Sequence, residues 1–208
     1  MIRRVAFASC YVYSPAGRTE VSGQSRLLRE MLKEGNAHFM PKYAVRVRQQ
    51  TESCSCLAGF FLAKDVLVPV PRCVTKCRGT WVAWDLAQAL VQAGVGAMVW
   101  PGLRRVRAVP KSATAASGAR PTVASHYESF AVERPSFPVA SLVLIDDVVT
   151  KGRTLLAAAA RLREACPDTP VRAFALLRTR GLVPGVEQLL APCIGEIRWN
   201  GSDARRVP

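Results

Sequence analysis

Short apolar runs alternate with stretches of helical periodicity along most of the chain. "DVLVPV" (65–70), "VGAMVW" (95–100), "VASLVLI" (139–145) and "VRAFALL" (171–177) read as strands, being short, apolar and rich in β-branched residues. "TWVAWDLAQALVQAG" (80–94) and "RTLLAAAARLREA" (153–165) read as helices, the first stopped by Gly94. "GQSRLLREMLKEG" (23–35) is an amphipathic helix ending at Gly35. Strands apolar on both faces, joined by helices of about a dozen residues, predict βαβ units. The expected fold is therefore α/β: an open, mainly parallel twisted sheet flanked by helices. The closing "RWNGSDARRVP" reads as a strand end and a frayed basic tail.

One stretch breaks the pattern. "RRVRAVPKSATAASGARPTVASHYE" (104–128) is rich in Ala, Ser, Thr, Gly and Pro and keeps no period. Strands resume on both sides, so residues 104–130 are expected to form a mobile basic lid rather than an interdomain linker. A chain of 208 residues fits a single domain, 1–208, with residues 1–60 as an N-terminal or hood segment. No apolar run reaches the roughly 18 residues of a membrane span. "MIRRVAFASCYVYS" has a short apolar run but no convincing cleavage site, so a cytoplasmic protein with no membrane partner is expected.

Half of the residues are hydrophobic, enough for a sizeable core, and mean hydropathy is slightly positive at +0.12. Charge sharpens the picture more. With 29 basic and 15 acidic residues the net charge is +14, a field that attracts nucleotides, pyrophosphate compounds or nucleic acid. A basic surface without a specific partner is the plainer alternative. No acidic residue lies between Asp85 and Glu128, whereas Arg104, Arg105, Arg107, Lys111 and Arg120 all do, which favours an anion site.

Seven cysteines stand at 10, 54, 56, 73, 77, 166 and 193, without a regular disulfide framework, so reduced thiols are expected. Cys54-x-Cys56 and Cys73-x₃-Cys77 together could form a four-thiolate zinc site. Neither pair has the usual two-residue spacing, and buried or incidental thiols fit better.

The chemistry concentrates in "LVLIDDVVTKGRTL" (142–155). An apolar strand delivers the chain to the carboxyl edge of the sheet, where open α/β folds bind ligands. Gly152 permits close backbone approach, and the N-terminus of the following helix adds unsatisfied amides and a positive dipole end. Thr150 and Thr154 can donate hydroxyl hydrogen bonds to a phosphate, while Lys151 and Arg153 add charge. The spacing is not that of a Walker loop. Paired Asp146 and Asp147 would repel a phosphate in contact. They suit the hydroxyls of a sugar that carries it, or help hold Mg²⁺ near a pyrophosphate. The plainer reading of two aspartates is a strand end or helix cap.

Taken whole, "LVLIDDVVTKGRT" resembles the phosphoribosyl pyrophosphate (PRPP) signature of type I phosphoribosyltransferases. The resemblance implies that fold, a 5-phosphate held in the loop Val149, Thr150, Lys151, Gly152, Arg153 and Thr154, and ribose hydroxyls bound by Asp146 and Asp147. Lys151 and Arg153 stand where many members carry smaller residues. "VLVPVPRCVTKCRG" (66–79) is similar to a segment of the competence-associated ComF branch, as is the upstream "YVYSPAGRTEVSGQSRLLREMLKEG". The family implies a pyrophosphate loop at Val70, Pro71 and Arg72, with Arg78 nearby; the plainer reading of "PVPR" is a proline turn ending a strand. The lid matches the family's mobile segment in order and length.

The implied activity is transfer of phosphoribosyl from PRPP to a nitrogenous acceptor, with Mg²⁺ held mainly through the ligand and no dedicated metal site. Lid residues Lys111, Arg120 or His126 would exclude water. His126 is either a general base or a solvated loop histidine, and without an identifiable partner the second is expected. Arg178 and Arg180 either assist an anionic acceptor or flank a strand. Two other functions remain open: a non-catalytic binder of single-stranded nucleic acid, and a PRPP-sensing regulator. The partners expected are PRPP or a nucleotide, and a second copy of the chain, since homodimers are the commonest assembly.

Overall fold

A computed structural model describes residues 2–34, 39–52, 56–73, 79–110, 120–181 and 185–208. Nine strands and five helices occur among them. Seven strands form one sheet in the order β3-β2-β6-β7-β1-β8-β9: β3 (Met98–Val99), β2 (Asp65–Pro69), β6 (Ser141–Val149), β7 (Val171–Thr179), β1 (Arg4–Tyr13), β8 (Leu190–Trp199) and β9 (Ala204–Val207). The first five run parallel to one another; β8 pairs antiparallel with β1, and β9 antiparallel with β8. A separate two-stranded ribbon pairs β4 (Leu103–Arg105) with β5 (Phe130–Val132).

The sheet has an apolar core on each face, as period-2 side-chain alternation requires. Leu142 and Leu144 of β6 join one core with Val66, Val68, Ala173 and Phe7; Val143 and Ile145 join the other with Leu67, Phe174 and Leu176. α4 (Val123–Ser129) and α5 (Arg153–Ala165) cover the first face, whereas α1 (Glu20–Lys33), α2 (Phe39–Glu52) and α3 (Val82–Gln92) cover the second. α5 presents Leu155, Leu156, Leu162 and the alanine run 157–160, all buried. Four consecutive alanines are the best helix formers and let the helix lie close to the sheet.

That order defines the ligand edge. From β2 the chain passes through α3 to β3 on one side, then returns across β2 to β6 and moves on through α5 to β7. The connections leave adjacent strands β2 and β6 in opposite directions and over opposite faces. A crevice therefore opens between their carboxyl ends, the topological switch point where open α/β sheets bind ligands.

Several elements differ from the sequence expectation. Residues 4–13, within the expected hood segment, form an inner strand between β7 and β8. The expected strand 95–100 pairs only at Met98 and Val99. The segment expected as an irregular lid contains β4, α4 and β5; its residues 111–119, with Lys111, lie outside the described part. The basic tail is no frayed end either: Ala204–Val207 hydrogen-bonds to Glu196–Trp199, since ladder bonds belong to the backbone and tolerate charged side chains on an edge. Among the described residues no helix is long and apolar enough to cross a membrane.

Candidate active site

Both sequence-predicted loops reach the switch point. β2 ends at Pro69, which has no N–H with which to extend the ladder. The next amide, Val70 N–H, donates to the Ile145 carbonyl at 2.9 Å, so Val70, Pro71 and Arg72 leave the sheet directly beside Asp146. The Trp81 indole N–H donates to the Val70 carbonyl at 2.8 Å and pins this loop to the start of α3. The Arg72 guanidinium donates to the Gly79 and Thr80 carbonyls at 2.8 and 2.6 Å, bridging the loop's two ends. Arg78 lies outside the described residues.

Behind this loop stands Arg105, a residue counted in the basic segment but not singled out. It is only 8% exposed. Its Nε donates to the Arg72 carbonyl at 2.5 Å, its Nη1 bonds the Ser129 hydroxyl, and its guanidinium lies 4.3 Å from the centre of the Phe130 ring. Burial lowers its pKa to about 10, which leaves it charged at neutral pH and within electrostatic reach of Asp146.

β6 does not stop at Ile145. Asp146 pairs with Ala175, and the ladder continues to Val149 and Arg178, because β7 offers partners that far. The Asp147 N–H donates to Asp146 Oδ1 at 3.0 Å, and the Val148 N–H to Asp147 Oδ1 at 2.9 Å. Each carboxylate thus keeps one oxygen on the local backbone. Burial, then the neighbouring Asp147 charge, pushes the Asp146 pKa well above the ordinary carboxylate range, with Arg105 acting in the opposite direction. Two carboxylates so placed favour hydroxyl donors or a cation.

The loop 149–154, expected to hold a phosphate, follows. Gly152 has φ +85°, and a Cβ there would stand 2.6 Å from Ile197 Cδ1 of β8. Both the left-handed backbone and the contact require glycine. No side chain caps α5, which leaves its first-turn amides to an outside acceptor. Thr150 Oγ1 lies 3.2 Å from Thr179 Oγ1 at the end of β7. Thr154 Oγ1 lies 3.3 Å from His126 Nε2.

Lys151 and Arg153 behave differently from the expectation that they add charge for the phosphate. Both are taken by Asp203, 50 residues away in the turn before β9. Arg153 donates through Nε and Nη2 at 2.6 and 2.7 Å, and Lys151 Nζ donates at 3.0 Å. Arg153 Nη1 also donates to the Pro121 carbonyl at 3.1 Å. These bonds hold the Asp203 pKa far below the usual carboxylate range.

His126 corrects a second expectation: it is no solvated loop residue. It sits on α4, 4% exposed, its ring 6.3 Å from that of Phe130 and nearly parallel to it. Burial, then the charges of Arg105 and Arg153, lower its pKa to about 4. A neutral imidazole behind Thr154 orients that hydroxyl. Arg120 is exposed ahead of α4. Arg178, offered as an aid to an anionic acceptor, is buried and donates to the Ser9 hydroxyl at 3.3 Å and to the Ala191 carbonyl. It locks β7, β1 and β8 together. Of the thiols considered for zinc, Cys54 and Cys77 lie outside the described residues, and Cys56 and Cys73 are free thiols. No cluster of three or more metal-ligating side chains occurs among the described residues.

No protein-family model matches this chain, and no curated protein matches it. The functional reading therefore rests on the site itself.

Proposed function

We propose that the chain has the type I phosphoribosyltransferase fold, binds PRPP with Mg²⁺, and transfers its phosphoribosyl group to a nitrogenous acceptor. The observation carrying this reading is the convergence of two loops at one switch point. The 70–72 loop starts one hydrogen bond from Ile145, and the paired aspartates begin at the next residue.

In this reading the 5-phosphate takes the α5 amides with Thr150 and Thr154, and the ribose hydroxyls donate to Asp146 and Asp147. Pyrophosphate lies against residues 70–72, with Arg105 behind. Mg²⁺ is held mainly through the ligand's phosphates. Asp146 and Asp147 are the protein groups suited to it, because a cation relieves their repulsion, and it would neutralise charge on the departing pyrophosphate. The acceptor nitrogen bonds to the anomeric carbon as the bond to pyrophosphate breaks, and the acceptor gives up a proton. The aspartates favour positive charge on the sugar ring as it forms.

Calorimetry of PRPP with Mg²⁺ tests the reading. Binding is expected in the wild type, with a loss of at least tenfold in Asp147→Asn, and pyrophosphate release is expected with a suitable acceptor. PRPP binding without pyrophosphate release from any acceptor would favour a sensor. Failure to bind PRPP, together with salt-sensitive binding of single-stranded DNA, would replace the proposal with the nucleic-acid reading that the +14 charge supports.

A further inference from the structure

The phosphate loop borders a cleft that the reaction above does not use. About 310 Å³ in volume, it lies between the loop and the carboxyl-terminal hairpin, lined by Thr150, Lys151, Asn200, Asp203, Arg205 and Arg206. Thr150 and Lys151 belong to both places, so a ligand phosphate seated in the loop has this cleft as its neighbour.

The charges in the cleft are unbalanced. Asp203, its one carboxylate, is already engaged by Arg153 and Lys151. Arg205 is exposed and pairs with Arg198, so its side chain leaves β9 on the face opposite to that of Arg206. Arg206 has only neutral partners among the described residues: it donates to the Thr179 carbonyl, and its guanidinium lies 5.7 Å from the centre of the Phe7 ring. Burial lowers the Arg206 pKa, and the charges of Arg178 and Arg180 lower it further. Like charges gathered without a counter-charge cost folding energy, which an anion in the cleft offsets. The position is fixed as well: Arg206 bonds the carbonyl of Thr179, whose hydroxyl meets Thr150 of the loop.

We infer that this cleft is a second anion subsite and that the protein takes a sugar whose 5-phosphate carries a further phosphate, a ribose 5-diphosphate group. The first phosphate occupies the loop and the second meets Arg206, whose side chain leaves β9 on the face of Ile197, the residue that Gly152 of the loop approaches. The volume stands near the lower end of small-ligand pockets, which suits a phosphate with little more attached. The inference rests on the phosphate-loop reading above and deepens it by naming a substrate class wider than phosphate monoesters.

Calorimetric titration of ribose 5-phosphate and of ADP-ribose provides the test, on the wild type and on Arg206→Gln. Wild type should bind ADP-ribose at least about tenfold more tightly, equivalent to about 1.4 kcal/mol. Arg206→Gln should bring the ratio near unity; a thermal melt confirms that it folds. Lys42→Gln, which removes one exposed charge on α2, should leave the ratio unchanged. Equal binding of the two ligands by wild type, or an unchanged ratio in Arg206→Gln, would overturn the second subsite while leaving the phosphate loop standing. Binding of neither ligand would overturn the phosphate-loop reading and the subsite with it.

Discussion

Asp203 determines how the loop before α5 is held, and its replacement by asparagine has a calculable effect. Its carboxylate accepts two bonds from Arg153 at 2.6 and 2.7 Å between side chains 22% and 24% exposed, against one from Lys151 at 3.0 Å, which is 61% exposed. Hydrogen bonds to charged groups contribute about 1.5–3 kcal/mol when shielded, whereas an exposed ion pair contributes about 0–1 kcal/mol. Asp203→Asn should therefore cost about 2 kcal/mol, nearly all of it through Arg153. For a chain of this size that lowers Tm by about 4–8 °C. A double-mutant cycle by urea denaturation at pH 7 separates the two partners: about 2 kcal/mol of coupling for Arg153–Asp203 and under about 0.5 for Lys151–Asp203. Because folding depresses the Asp203 pKa, this stabilisation is complete above the unfolded value near 4 and declines as pH falls below it. Equal coupling for the two pairs, or an Arg153 coupling below about 0.5 kcal/mol, would refute the assignment.

Two other substitutions report on the same loop. Gly152→Ala places a methyl group 2.6 Å from Ile197 Cδ1 on a backbone at φ +85°, and should cost more than about 1–3 kcal/mol in urea unfolding. Ile197→Ala in the same chain should remove the contact but not the backbone strain, so rescue relative to Ile197→Ala alone should be partial. His126 has its pKa lowered to about 4 from an unfolded value near 6.5, so the unfolded chain binds its proton first as pH falls. Stability should decline from about pH 6.5 towards pH 4, by roughly 3 kcal/mol from this group. His126→Gln should flatten that window, and an imidazole resonance titrating near pH 6.5 would contradict its burial.

Three helices, α1, α3 and α5, and the parallel strands β2, β6 and β7 were legible because their information is local. Side-chain periodicity, β-branched runs and Gly94 report on neighbouring residues, and they located β2, β6, β7, α3 and α5 within a few positions. The loop after β6 was expected at the carboxyl edge of the sheet, but the switch point follows only from the strand order that makes β2 and β6 neighbours. "RVAFASCYVY" was not recognisable as an inner strand, because a strand buried on both faces shows no alternation and here it follows two arginines. The edge strand β9 has no apolar signature either; the backbone of β8 makes it a strand. Sequence also placed Lys151 and Arg153 in the loop, with nothing to show that Asp203 claims them. It could not place His126 behind Thr154, or Arg105 beneath the Arg72 carbonyl. Those facts are set by which elements pack together over long separations along the chain. Propensity and spacing determine where the loops begin, but only the packed structure determines which charges around them are already spent.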